Sequence, residues 1–133
     1  MNNLEQHVVS LELSKKLKEL GIKQESQFYW VLSENLGNDN FYLWDHKPTS
    51  TKQNWSAYLA TELLEILPYT VYWNDDEKGQ FDNLKLRIDV STGHVYSVYY
   101  TGMLWTTKGL QIENSLPNAL AKMLIYLKEN NLL

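Results

Sequence analysis

The sequence predicts an α+β fold, in which an antiparallel sheet of about five strands carries three helices in the order α-β-β-α-β-β-β-α. Three observations lead to this prediction. Leucine-rich segments with apolar residues three and four positions apart indicate helices near both ends and in the middle of the chain. Residues 84–90 alternate between apolar and polar side chains, which is typical of a half-buried strand. Short runs rich in Asn, Gly, Ser and Pro separate these segments, as turns do.

The three helices are predicted from their apolar faces and their end signals. The first is expected at about residues 10–20, opened by a serine that can cap it and closed by Gly21. The second is expected at about residues 56–67 and ends at Pro68, because the residue before a proline disfavours helical geometry. The last is expected at about residues 116–130, with a serine cap and a proline in its first turn.

The first strands are predicted as a hairpin. Residues 27–34 and 41–45 are rich in aromatic and other strand-forming side chains, and the residues between them contain Gly37 and three asparagines. Residues 46–54 hold a proline with threonines and a serine, and we interpret them as a loop.

The later strands follow the second helix. Residues 69–73 are strong strand formers, and residues 84–90 and 95–101 flank a Ser-Thr-Gly-His turn, so the last two are expected to form a hairpin. Residues 103–113 fit either a further strand or a loop that covers the sheet. The side chains of the alternating strand that are expected to face the core are Leu84, Leu86, Ile88 and Val90.

The composition sets limits on function. A chain of 133 residues fits one domain, and we expect residues 1–133 to form a single α+β unit. The absence of cysteine excludes disulfides, thiolate metal sites and cysteine nucleophiles. A net charge of −4 and a single arginine disfavour nucleic acid as a partner. Because no signal-like start and no apolar run of about 18 residues occurs, we expect a cytoplasmic protein without membrane contact.

Sequence motifs for catalysis and for cofactors are missing. The histidines, His7, His46 and His94, lack the spacing of a metal site. Residues 74–79 resemble the start of a calcium loop, but lysines occupy two of the ligand positions. Neither a nucleophile elbow nor a phosphate-binding loop occurs. We therefore predict no cofactor, no metal and no catalytic residues, and an enzyme with an unrecognised carboxylate site is kept as an alternative.

Aromatic residues are the most informative feature of the chain. They make up 13% of the residues and include the consecutive pairs at 29–30, 72–73 and 99–100. Because neighbours in a strand point to opposite faces, one ring of each pair is expected to face away from the helices. An aromatic face with few charges is typical of a partner-binding surface, and the same rings also fit a large core with cross-strand pairs. The candidate binding residues are Trp30, Tyr42, Trp44, Tyr72, Trp73, Arg87, Tyr99 and Tyr100.

A small basic cluster lies on and just after the first predicted helix. Its members are Lys15, Lys16, Lys18 and Lys23. Such a run is ordinarily a solvated helix face, and it is also large enough to hold one phosphate or an acidic partner.

Three segments carry a resemblance to known sequences. Residues 11–26 read LELSKKLKELGIKQES and lead into FYW at 28–30, residues 60–68 read ATELLEILP, and residues 119–127 read ALAKMLIYL. In this order they resemble a group of small uncharacterised proteins encoded by bacteriophages and prophages. The resemblance implies a viral or mobile-element origin and the cytoplasm of a bacterial host cell, and it implies no activity.

Together these observations predict a non-enzymatic phage or prophage accessory protein that binds a host or phage protein, or a second copy of itself, through an aromatic sheet surface. A protein that binds or sequesters a nucleotide-like small molecule is the first alternative, and the enzyme is the second. The three differ in the site that they need. A flat exposed aromatic patch suits a protein partner, a concave aromatic site beside a cation suits a small ligand, and converging carboxylates suit an enzyme.

Overall fold

The computed structural model describes residues 3–33, 40–48, 53–75, 80–103 and 107–133. Helices and antiparallel sheets make up the fold, which confirms the predicted α+β class and, in outline, the predicted order. The strands differ from the prediction in number and grouping. Within the described ranges, seven strands form one sheet of three strands and one sheet of four.

The regular elements have the following bounds. The helices are α1 (Leu11–Glu19), α2 (Ala60–Ile66) and α3 (Leu116–Glu129), with a 3-10 turn at Asn3–His7. The strands are β1 (Phe28–Ser33), β2 (Asn40–Trp44), β3 (Asn54–Ala57), β4 (Thr70–Asp75), β5 (Gln80–Ser91), β6 (Val95–Thr101) and β7 (Thr107–Glu113). Among the helices that the structure describes, none has the length and apolar character needed to span a membrane.

The three-stranded sheet has β1 at its centre, between β2 and β3. Trp30 on β1 lies opposite Leu43 on β2 and opposite Trp55 on β3. The predicted hairpin of β1 and β2 is confirmed, and its connecting residues 34–39 lie outside the described part of the chain.

Strand β3 departs from the sequence prediction. The sequence places residues 46–54 in a loop and starts the second helix near residue 56, whereas Asn54–Ala57 pairs with β1 and α2 begins at Ala60. Because β3 has only four residues, its sequence is too short to show the alternation of apolar and polar side chains that predicts a strand. Its backbone hydrogen bonds depend on the ladder with β1. Residues 49–52 of the predicted loop lie outside the described residues.

The four-stranded sheet is a meander in which each strand pairs with the next one in sequence, β4-β5-β6-β7. The predicted hairpin of β5 and β6 is confirmed, with Ile88 opposite Val98. Of the ambiguous residues 103–113, Thr107–Glu113 forms β7 at the edge of the sheet, next to β6. The structure leaves residues 104–106 undescribed.

The main core lies between one face of the four-stranded sheet and the helices. Its fully buried side chains include Leu17, Leu63, Leu84, Val98, Tyr100, Leu120, Met123, Leu124 and Leu127. Val90 departs from the predicted inward row, because its side chain is 61% exposed where the β5–β6 hairpin approaches its turn. A second, smaller core surrounds Trp30 and contains Val8 and Ala57.

Hydrogen bonds at the helix starts tie α1 to α3. Ser115 caps α3, because its Oγ accepts a hydrogen bond from the Asn118 N–H at 3.3 Å. Ser10 caps α1 in the same way, with the Leu13 N–H as donor at 3.3 Å. The N–H of Ser10 donates in turn to Asn118 Oδ1 at 2.8 Å, so the first turns of the two helices are held together.

Candidate functional site

The pleat of the four-stranded sheet divides the candidate aromatic residues between two faces. Trp73 and Tyr100 point to the helices, where Trp73 packs against the main core and Tyr100 is fully buried within it. Tyr72 and Tyr99 point the other way, and Arg87 lies directly opposite Tyr99 on that same face. In the pairs 72–73 and 99–100, one ring therefore faces away from the helices, as alternation along a strand requires, whereas both rings of the pair 29–30 are buried.

Two of the eight candidate residues are core residues whose polar atoms are used inside the protein. Trp30 is 8% exposed, and its Nε1 donates to the Val9 carbonyl at 2.9 Å. The Tyr100 hydroxyl donates to the Pro68 carbonyl at 2.6 Å, and burial raises the pKa of Tyr100 to about 12. Tyr29 is buried as well, because both faces of the central strand β1 are covered. Neither Trp30 nor Tyr100 is accessible to a partner.

We call the side of the four-stranded sheet that faces away from the helices the outer face. The large and charged side chains that the structure describes on this face include Tyr72, Lys85, Arg87, Asp89, Tyr99, Leu110 and Ile112. Tyr72 and Ile112 are 56% and 58% exposed, and Leu110 is also more than half exposed. Three large apolar or aromatic side chains thus remain open to solvent on one side of a single sheet.

The acidic and basic side chains of the outer face differ in their partners. The Tyr99 hydroxyl donates to Asp89 Oδ2 at 2.7 Å, and this hydrogen bond raises the pKa of Tyr99, since ionisation would place two negative charges together. In the part of the chain that the structure describes, neither Lys85 nor Arg87 forms an ion pair. The carboxylate of the outer face is therefore engaged by a tyrosine, and its two cations are available to a partner.

A shallow cleft of about 440 Å³ adjoins these two cations. Its lining residues are Asp82, Asn83, Lys85, Arg87, Thr101, Gly102 and Met103. The Asp82 carboxylate packs against Gly102, so a Cβ atom at this position would require the Asp82 side chain to move. The cleft is therefore lined by two cations, Lys85 and Arg87, by the Thr101 hydroxyl and by the Asp82 carboxylate, and an anionic side chain can pair with the cations.

The two remaining candidate residues belong to the other sheet. Tyr42 and Trp44 lie on one side of the edge strand β2, with ring centroids 5.6 Å apart, and the His46 ring follows at 4.7 Å from Trp44. His46 Nδ1 is 2.9 Å from Asp45 Oδ1, and this hydrogen bond lowers the pKa of Asp45. This aromatic row is separate from the outer face.

A concave aromatic site that the sequence did not predict lies between α1 and the three-stranded sheet. The Phe41 and Trp55 rings are 5.7 Å apart, and Lys15 Nζ lies 4.7 Å from the Phe41 centroid and 5.0 Å from the Trp55 centroid. The basic helix and Phe41 were visible in the sequence. Their meeting was not, because it depends on strand β3, which carries Trp55.

Neither a metal-binding cluster among the described residues nor a similar protein points to a function. Within the described ranges, no three His, Asp or Glu side chains lie close enough together to hold a metal ion. Comparison of the chain with protein-family models, with curated proteins and with solved structures found no match in any of the three.

Proposed function

We propose that this chain is a non-enzymatic phage or prophage accessory protein that binds an acidic host or phage protein through the outer face. The observation that carries the proposal is the combination of three exposed apolar or aromatic side chains with two cations that have no ion pair. The resemblance at residues 11–30, 60–68 and 119–127 supports the origin. The cytoplasm of the bacterial host follows from that origin.

The outer face has the make-up of a protein-binding surface. Fully burying a leucine or isoleucine side chain contributes about 1.5–3 kcal/mol, so covering the exposed halves of Leu110 and Ile112 contributes about 1 kcal/mol from each. Tyrosine and arginine are enriched among the residues that dominate binding energy, and Tyr72 and Arg87 both lie on this face. A flat surface of this kind suits a protein better than a small molecule.

The two cations of the outer face favour a different, acidic protein over a second copy of this chain as the partner. In a two-fold dimer the same patch meets itself, so Lys85 and Arg87 of both copies would share one interface and repel each other. Asp89 compensates this repulsion only in part, because each copy brings one such carboxylate against two cations. A different protein that presents aspartate or glutamate residues among apolar side chains avoids this repulsion, and one of its carboxylates fits the cleft beside Arg87.

The test is site-specific photocrosslinking followed by charge reversal. A photoreactive phenylalanine derivative replaces Tyr72 in one sample and Glu65, an exposed residue of α2 on the helix side, in the control. In a bacterial host lysate, we expect one acidic protein to crosslink from position 72 and not from position 65. With that protein purified, Arg87→Glu should weaken binding by about tenfold or more, and an acidic-to-lysine change in the partner should restore it.

The stability of the Arg87→Glu variant and the pattern of crosslinks provide the controls. Because Arg87 is exposed, Arg87→Glu should change the free energy of unfolding by no more than about 0.5 kcal/mol. Crosslinks between two copies of the chain would refute the acidic partner in favour of a dimer. Equal crosslinking from positions 72 and 65 would refute the outer face as the binding surface.

A further inference from the structure

The concave site between α1 and the three-stranded sheet is a second, independent feature, which we call the aromatic–lysine cleft. It has a volume of about 420 Å³ and is lined by Lys15, Glu19, Leu32, Phe41, Gln53 and Trp55. This volume lies within the range of small-ligand sites in proteins. None of these residues belongs to the outer face, so the cleft is not part of the surface proposed above.

Two inclined rings form the apolar wall of the aromatic–lysine cleft. The planes of Phe41 and Trp55 are tilted by 55°, and Leu32, which pairs with Phe41, extends the wall. Gln53, two residues before Trp55, also lines the cleft. Such rings offer their π-faces to another planar group.

Helix α1 supplies the charges of the aromatic–lysine cleft. Lys15 Nζ lies over both rings, and Lys18 Nζ lies 5.8 Å from the Trp55 centroid while it donates to the Asn54 carbonyl at 2.9 Å. Glu19 is one helical turn from Lys15 and completes this side. Cation–π contacts at exposed positions are weak, so Lys15 can leave the rings when a better partner for them arrives.

We propose that the aromatic–lysine cleft binds a small ligand that combines a planar ring with an anionic group, of the mononucleotide class. The ligand ring takes the place of the Lys15 ammonium against Phe41 and Trp55. The Lys15 ammonium then pairs with the anionic group, and Lys18, next to the lining residues, adds positive charge nearby. The Glu19 carboxylate and the Gln53 amide provide hydrogen-bonding groups for the polar edges of the ring or the sugar. A ligand with only the ring, or with only the anionic group, makes only one of these two kinds of contact.

The experiment is isothermal titration calorimetry of the full chain with the four common ribonucleoside monophosphates. Adenosine serves as the ring without the anion, and ribose 5-phosphate serves as the anion without the ring. We expect at least one monophosphate to bind, and its two partial analogues to bind about tenfold more weakly.

Two variants test the residues of the cleft. Lys15→Gln removes the cation, and Phe41→Leu removes one ring while it keeps an apolar side chain of similar size. Each should weaken binding by about tenfold.

A matched control distinguishes this site from lysines in general. Lys23→Gln removes an exposed lysine that is paired with Glu25 outside the cleft, and it should leave binding unchanged. Thermal unfolding of each variant verifies that it is folded. Absence of binding by all four monophosphates at millimolar concentration would overturn the proposal. So would binding that survives both Lys15→Gln and Phe41→Leu, or ribose 5-phosphate binding as tightly as a monophosphate.

Discussion

Replacing Trp30 measures how much of the fold depends on the smaller core. The ring is 8% exposed and packs with Val8 and Ala57, and its Nε1 donates to the carbonyl of the fully buried Val9. Truncating a buried tryptophan to alanine costs about 3–5 kcal/mol, and the orphaned Val9 carbonyl adds to this cost. We therefore expect Trp30→Ala to lower the free energy of unfolding by about 4 kcal/mol. That is a large part of the about 5–15 kcal/mol typical of a domain.

A second variant separates the hydrogen bond from the packing. Trp30→Phe keeps most of the apolar contact and removes the only ring donor, so it should cost about 2 kcal/mol, chiefly from the unpaired Val9 carbonyl. The measurement is urea unfolding followed by far-ultraviolet circular dichroism. Tyr72→Ala is the control, because this ring is more than half exposed on the outer face and its loss should cost less than the loss of a buried ring.

Two outcomes would contradict a core role for Trp30 or a stabilising role for its hydrogen bond. If Trp30→Ala costs less than about 1 kcal/mol, or no more than Tyr72→Ala, then Trp30 is not a core residue. If Trp30→Phe costs as little as Tyr72→Ala, the hydrogen bond to Val9 does not contribute to stability.

Two further predictions concern the main core. The folded pKa of Tyr100 is about 12 against about 10 in the unfolded chain, so its contribution is complete below pH 10. That contribution, about 3 kcal/mol for a pKa raised by about two, is lost as the pH rises through about 12. In urea titrations Tyr100→Phe should show a smaller alkaline loss, and a cost of about 1 kcal/mol at pH 7 from the lost bond to Pro68. Gly109→Ala should lower the melting temperature by several degrees, because Gly109 has φ +71° and a Cβ there would overlap the Tyr126 ring.

Long elements with clear end signals could be predicted from the sequence, and short ones that depend on a partner strand could not. Helix α3 shows four turns of apolar periodicity between a serine cap and polar residues, so its ends follow from local chemistry. Strand β3 has four residues, and only its pairing with β1 makes it a strand. Residues 103–113 were ambiguous for the same reason, because β7 is held by β6 and α3.

The sequence predicted that candidate aromatic residues alternate between the two faces of a strand, but it did not predict which face is exposed. Alternation separates Tyr72 from Trp73, but the side on which the helices pack decides which ring is exposed, and that is a tertiary property. Trp30 illustrates the limit most clearly, since both faces of β1 are covered and alternation leaves no ring of its pair outside. The aromatic–lysine cleft joins α1, β2 and β3, which are distant in sequence, and no local pattern encodes such a meeting.

The hydrogen bond between the Ser10 N–H and Asn118 Oδ1 bears on the order in which the protein folds. It joins residues 108 positions apart, whereas every strand of the four-stranded meander pairs with its sequence neighbour. Closing a long loop costs more entropy than closing a short one, so the meander is expected to form early and the docking of α1 onto α3 late. In native-state hydrogen exchange, the amides of α1 should therefore open at a lower free energy than those of β5 and β6.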